Sequence, residues 1–224
     1  VVAAMPIDMS DGAGDSVQVL IGRDTRESGK WITAQLARGI ESEAGSVTDG
    51  GLLSTPAVAF LTRDGEFDAG IVVSASHNPF RDNGVKVVTG DGEKADDDLE
   101  ARIAALVTDE TWAVPDTPVP SVEPIAFSES YIAHTSRILN GVTVPVDLRI
   151  AIDCANGATS QLAPAVLRGL GLDPIVLHDR PDGRNINLDC GSTHPERLAR
   201  AVVERGSSGG RAVVERWSSG GRAV

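Results

Sequence analysis

Residues 69–89 read AGIVVSASHNPFRDNGVKVVT. An uninterrupted apolar run, Ala69–Val73, stops at Ser74 and gives way to Ser-Ala-Ser-His-Asn-Pro. The chain then turns through Asp82-Asn83-Gly84 and resumes as Val85-Lys86-Val87-Val88. A short β-branched run bounded by turn residues is the pattern of a buried strand. The stretch therefore predicts strand, polar loop, strand, with Ser76, His77 and Asn78 at the carboxyl end of the first strand. Open α/β sheets place their ligand sites at that end.

The flanking sequence repeats this alternation. VQVLIG (17–22) reads as another buried strand. Ile32, Leu36 and Ile40 share one face of a helix expected from about Gly29 to Ala44, which Gly45 stops. Thr55 as N-cap with Pro56 following predicts a helix over TPAVAFLTRD. Asp96, Asp97 and Asp98 suit the positive end of a helix reaching Val107. Residues 111–126 carry four prolines and no helical period, and read as a linker. A helix over 128–140 and the alternation in LRIAIDCANGATSQLAPAVLRGLGLDPIVLHD form a second unit. Thr193 and Glu196 in THPE match a capping box that opens a last helix. Strands alternating with helices predict an α/β fold with largely parallel sheets, in two units divided by the linker.

The tail breaks the pattern. RAVVERGSSGG (200–210) recurs as RAVVERWSSGG (211–221). A period of eleven is too short for a repeat with its own core, and its Ser/Gly pieces read as flexible linker. Residues 207–224 are accordingly expected to be an aberrant, poorly ordered terminus.

Composition narrows the function classes. The 224 residues carry a formal charge of −12, with three lysines beside seventeen arginines. Such a surface repels nucleic acid and anionic membrane, so neither is expected as a partner. No apolar run approaches the ~18 residues of a membrane span. The opening VVAAMPIDMSDGAGD lacks a basic start and a long apolar segment, so no signal peptide is expected, and without an initiator Met the chain reads as beginning inside a longer one. Cys154 and Cys190 are far apart in sequence and fit a reducing, cytoplasmic setting rather than a disulfide framework. His134, His178 and His194 are scattered and predict no metal set.

Serine needs a base, a metal or a prior covalent load to act as a nucleophile. No Gly-x-Ser-x-Gly surrounds Ser76, which disfavours a hydrolase elbow. On residue types alone, Ser, His and Asn filling a turn with local hydrogen bonds is an equal reading. Lys86 on the solvent face of a strand is likewise the plain one.

GIVVSASHNPFRDNGVKVV resembles the active-site serine loop of the α-D-phosphohexomutases, and the SASHNPFRDNG wording is most similar to their bacterial phosphoglucosamine branch. GRDTRESG (22–29), STPAVAFLTR (54–63), IDCANGA (152–158) and PDGRNINLDCGSTHPE (181–196) resemble the same family. The resemblance implies two α/β/α-type domains with mixed, largely parallel sheets, at 1–126 and 127–206, the second incomplete. It implies that Ser76 is phosphorylated and passes its phosphoryl group to a sugar phosphate through a bisphosphate intermediate. Lys86 is implied as acid/base or phosphate contact. His77, Asn78, Arg23 and Arg26 are implied as loop support or phosphate contacts, with ion pairs from the arginines to Asp24 or Glu27 as the alternative. Mg²⁺, bound partly through the phosphate oxygen on Ser76, is the implied cofactor. The family's metal loop, D-G-D-x-D-R, belongs shortly after AVVERG, where the duplicated tail stands instead. The expectation is therefore a serine-bearing portion that is not a competent mutase alone. A sister mutase acting on mannose or glucose phosphates, and a non-catalytic binding module, stay open.

Overall fold

The computed structural model describes residues 16–109, 111, 124–143, 145, 147–206 and 212–214. The predicted absence of a signal peptide concerns residues outside that set, as does most of the proline-rich linker.

The first unit is a four-stranded sheet in the order β2-β1-β3-β4. β1 is Gln18–Arg23, β2 Ser46–Leu52, β3 Ala69–Val73 and β4 Val85–Thr89. β1 runs parallel to both β2 and β3, and β4 is antiparallel to β3. α1 (Ser28–Ser42) joins β1 to β2, and α2 (Thr55–Asp64) joins β2 to β3. Side chains alternate across the strands, so one face offers Val19, Ile21, Ala69, Ile71 and Val73 to Ile40, Ile32 and Leu36 of α1. The other face offers Leu20, Val72 and Val88 to Ala57, Val58, Phe60 and Leu61 of α2. Both faces of β1 and β3 are thus covered, which is why these strands read as continuous apolar runs. Each fully buried Ile or Leu here contributes about 2–3 kcal/mol. Close approach of α2 requires glycines beneath it: a Cβ on Gly22 would lie 2.4 Å from Val58 Cγ2, and one on Gly70 2.2 Å from Thr62 Oγ1.

Two predicted details change. The N-cap of α2 is Ser54, whose hydroxyl accepts from Ala57 N at 3.4 Å, and Thr55 is the first helical residue. β2 is a strand that the sequence pattern did not mark. α3 (Asp97–Val107) starts as expected, with the Asp96 carboxylate accepting from Leu99 N at 2.8 Å.

The second unit has β5 (Arg149–Asp153) between β6 (Ile175–Leu177) and β7 (Ala212–Val214), all parallel. α5 (Leu162–Gly169) and α6 (Pro195–Gly206) accompany it. Thr193 lies in a 3-10 turn, Gly191–Thr193, and α6 begins at Pro195, so Thr193 is not its cap. β7 falls within the duplicated tail, where no element was expected. The open edge of β5 draws in a β-branched Ala-Val-Val segment. The other tail residues lie outside the described set.

α4 (Ser128–Ile138) connects the units. Phe127 and Tyr131 pack on the core beneath α2, and the His134 ring stacks on Phe60 at 3.7 Å. The helix also packs against α5. His134 is thereby accounted for as a packing residue.

Candidate active site

Strand order fixes where a site belongs. From β1 the chain moves outward to β2, then returns past β1 to β3. The direction of winding reverses between β1 and β3, and loops leaving their carboxyl ends diverge to leave a crevice. The loops there are Asp24–Glu27 and Ser74–Asn83, bridged by Asp24 N donating to Val73 O at 3.1 Å. The Ser-His-Asn loop therefore stands at the topological switch point.

Ser76 is half-buried and holds φ +58°, a left-handed conformation uncommon outside glycine and asparagine. Its N–H donates to Ser74 Oγ at 3.1 Å, and Asn78 N to Ala75 O at 3.2 Å. Asn78 Nδ2 donates to Asp82 Oδ2 at 3.1 Å. His77 is exposed beside Ser76.

Arg26 holds this conformation from below. It is buried, its Nε donates to Asp24 Oδ2 at 2.9 Å, and Nη2 donates to the carbonyls of Ser76 and Asn78, each at 3.0 Å. Nη1 donates to the Pro79 carbonyl. The planar guanidinium thus gathers three loop carbonyls while Asp24 neutralises it. Arg26 thus meets the loop through its backbone carbonyls.

Arg23 stands elsewhere. Its Nη1 meets Asp49 Oδ1 at 2.7 Å and Oδ2 at 3.0 Å in a buried pair joining β1 to β2. The carboxylates paired with these arginines are Asp49 for Arg23 and Asp24 for Arg26; Glu27 instead meets Arg184 Nε at 2.7 Å.

Lys86 departs from the plain solvent-face reading. It is half-buried on β4, and its Nζ donates to Ser74 O at 3.1 Å, at the root of the serine loop. Burial lowers its pKa below the usual lysine value; Asp24 opposes that shift and Arg26 reinforces it. A lysine held partly dry at the root of the serine loop gives up its proton more readily than an exposed one.

The pattern alone did not mark two participants. Ser74 supplies both the hydroxyl under Ser76 N and the carbonyl under Lys86. Asn187, from the second unit, donates through Nδ2 to the carbonyls of Ser76 at 2.9 Å and Asn78 at 3.0 Å. A contact spanning 111 residues has no local signal.

The described residues do not supply a Mg²⁺ cage at Ser76. Asp24 is bound to Arg26, and Asp82 accepts from Asn78. The one cluster of ligand types among the described residues is Asp153, His178 and Cys190, which does bring together a histidine and a cysteine expected to stand apart. Its mixed donors do not suit a hard cation. The Asp153 carboxylate already accepts from Ala155 N and Gly191 N, each at 2.9 Å, and lies 3.0 Å from His178 Nδ1. That set fastens the strand end to its loops. Cys154 and Cys190 are buried, and burial, aided by nearby Asp179 and Asp153 for the first and Asp153 for the second, pushes their thiols up to about 12 and about 11.

Known proteins resemble the chain in sequence and in fold. Residues 7–114 match the family model for phosphoglucomutase/phosphomannomutase, alpha/beta/alpha domain I. A phosphoglucosamine mutase of Moorella thermoacetica is 45% identical over 209 residues, covering 89% of this chain and 45% of the relative. One from Staphylococcus carnosus is 44% identical over 198 residues, covering 86% and 43%. A phosphoglucomutase/phosphomannomutase family protein from Burkholderia thailandensis superposes with a TM-score of 0.69 at 25% identity, over 92% of this chain and 45% of that one. A putative phosphomannomutase from Thermus thermophilus shares the fold, with a TM-score of 0.71 at 21% identity over 89% and 45%. The chain spans just under half the length of the relatives it matches. It belongs to the α-D-phosphohexomutase family, with the family's domain I at its serine loop.

Proposed function

We propose that this chain is the phosphoacceptor part of a phosphoglucosamine mutase-type enzyme, cytoplasmic, interconverting glucosamine 6-phosphate and glucosamine 1-phosphate for cell-wall precursor synthesis. The observation that carries the reading is Ser76 at the switch point, in a left-handed turn whose carbonyls Arg26 draws inward. Relatives named phosphoglucosamine mutase support the branch.

In the proposed cycle Ser76 Oγ carries a phosphoryl group. A sugar hydroxyl attacks the phosphorus, the new P–O bond forms and the bond to Oγ breaks. The hydroxyl proton passes to Lys86 Nζ, neutral at that moment, and is delivered to Oγ as it leaves. The bisphosphate reorients, and the reverse transfer from its other phosphate reloads Ser76. Lys86 carries the proton, Arg26 and Asn78 shape the loop, and exposed His77 borders the entrance without holding the proton. Mg²⁺, when bound in the complete enzyme, supplies charge neutralisation on the transferring group. Domains at 1–126 and 127–206 are part of the proposal, with α4 opening the second.

Intact mass tests it. Incubation with a hexose 1,6-bisphosphate and Mg²⁺ is expected to add one phosphate to the chain, and Ser76→Ala to abolish the gain. A wild-type chain that stays unmodified overturns the phosphoserine role and favours a non-catalytic module. Assay of the full-length parent enzyme on glucosamine, glucose and mannose phosphates decides the branch, and fastest turnover of mannose phosphate overturns the preferred one.

A further inference from the structure

Resting on the phosphoserine reading, we propose that Asn187 is a positioning residue: it clasps the Ser76 loop jointly with Arg26, so that the shape of the phosphoacceptor depends on the second unit. The carbonyls of Ser76 and Asn78 each accept two hydrogen bonds, one from Arg26 Nη2 and one from Asn187 Nδ2, all within 2.9–3.0 Å. One amide nitrogen and one guanidinium nitrogen thus grip the same two oxygens from different units.

The electrostatic consequence follows from peptide geometry. A carbonyl oxygen is the negative end of its peptide dipole, and a loop presenting it outward repels a phosphoryl group. Pinning the Ser76 carbonyl inward fixes its trans-planar partner, the His77 N–H, pointing away from the clasp. The residue after the acceptor serine then offers a donor rather than an acceptor to an anion. The same grip holds Ser76 at φ +58°, a conformation that persists only where its surroundings over-determine it.

Asn187 is itself built for this placement. It holds φ +58°, which asparagine tolerates better than most residues, and its backbone N–H donates to Ala155 O at 2.9 Å. The segment just before it is tied to the first unit by Glu27 N donating to Gly183 O at 3.0 Å, and to its own unit by Asn156 Nδ2 donating to Asn185 O at 3.2 Å. A backbone fixed at Asn187 and just before it leaves the amide aimed at the serine loop.

Asn187→Asp tests the clasp, because it keeps the size and the left-handed tolerance but replaces the donor with an oxygen facing two carbonyls. Asn187→Gly keeps the backbone conformation and removes the side chain, covering the case in which the aspartate variant fails to fold. Amide exchange of Ser76 and Asn78 is expected to quicken about tenfold in either variant, for two lost hydrogen bonds, while the amides of β1 and β3 stay as in wild type. Phosphate uptake from a hexose 1,6-bisphosphate is expected to lose about tenfold or more in maximal rate, with the half-saturating concentration unchanged. Wild-type loop exchange together with a wild-type maximal rate overturns the clasp and leaves the phosphoserine reading standing. If wild type itself takes no phosphate, that reading falls and exchange alone decides the clasp: quickened loop amides uphold it, unchanged ones overturn it.

Discussion

At Ser76 the backbone and the hydroxyl make separable contributions. A non-glycine residue at φ +58° is strained by Cβ against its own carbonyl, and glycine escapes that. Ser76→Ala and Ser76→Gly both remove the hydroxyl, so their difference isolates the strain. Urea unfolding is expected to find the glycine variant more stable by about 1 kcal/mol, and neither variant is expected to take up phosphate. Lys86 offers a second residue-level test. Its pKa is lowered by burial, whereas that of Lys94 is raised, chiefly by its hydrogen bond to Glu100. Acylation profiles read by mass spectrometry should therefore show Lys86 becoming reactive at lower pH than Lys94. The linkage sign follows: in the interval below 10.5, the unfolded chain binds more protons at this lysine than the folded one. Lys86 thus contributes a rise in stability as pH climbs from its lowered folded value toward 10.5, and Lys86→Met should remove that rise. The serine loop was legible in sequence because its residue types are crowded into one turn. Asn187 was not, because its partners are 109 and 111 residues away.

Among the elements, those with apolar periodicity or strong caps were readable, and β2 shows why others were not. SVTDGGL has two glycines and an aspartate, all depleted in strands. It becomes a strand because Asp49 finds Arg23 of β1 in the folded protein, while Gly50 clears Leu53, where a Cβ would lie 2.5 Å from Cδ1. The strand is therefore a product of tertiary pairing rather than of local preference. Removing one member of such a pair leaves a buried charge without compensation, at a cost of about 3 kcal/mol or more. Arg23→Met should lower the urea midpoint accordingly. Adding Asp49→Asn should recover a large part of the loss, since asparagine can still accept the hydrogen bond from Gly51 N, 2.8 Å from Asp49 Oδ1. A double-mutant cycle with no coupling between the two positions would remove the pair as the reason β2 forms.

Across the whole molecule, one phrase adopts two structures. Arg200-Ala201-Val202-Val203 lies in α6, whereas the repeated Ala212-Val213-Val214 forms β7. Identical local sequence cannot decide between them; position does. The first copy continues a helix that has started at Pro195 and is anchored by buried Leu198. The second follows a Ser/Gly break and meets β5, pairing Ala212 with Arg149, Ile150 with Val213 and Ala151 with Val214. In sequence this tail reads as an aberrant, poorly ordered terminus, because period and composition carry no information about an unfilled sheet edge. Among the described residues β5 has β6 on one side and β7 on the other, so β7 alone satisfies that second flank. Deleting residues 207–224 should therefore quicken amide exchange in Arg149–Ala151 while β1 and β3 keep their protection, because the units have separate sheets. It should also increase self-association, since an unpaired parallel edge is a template for another chain. Unchanged exchange at β5 together with unchanged self-association would mean that β7 contributes nothing to the second sheet. The Asp153 clasp to His178, Ala155 and Gly191 would then be what holds β5 against its neighbours.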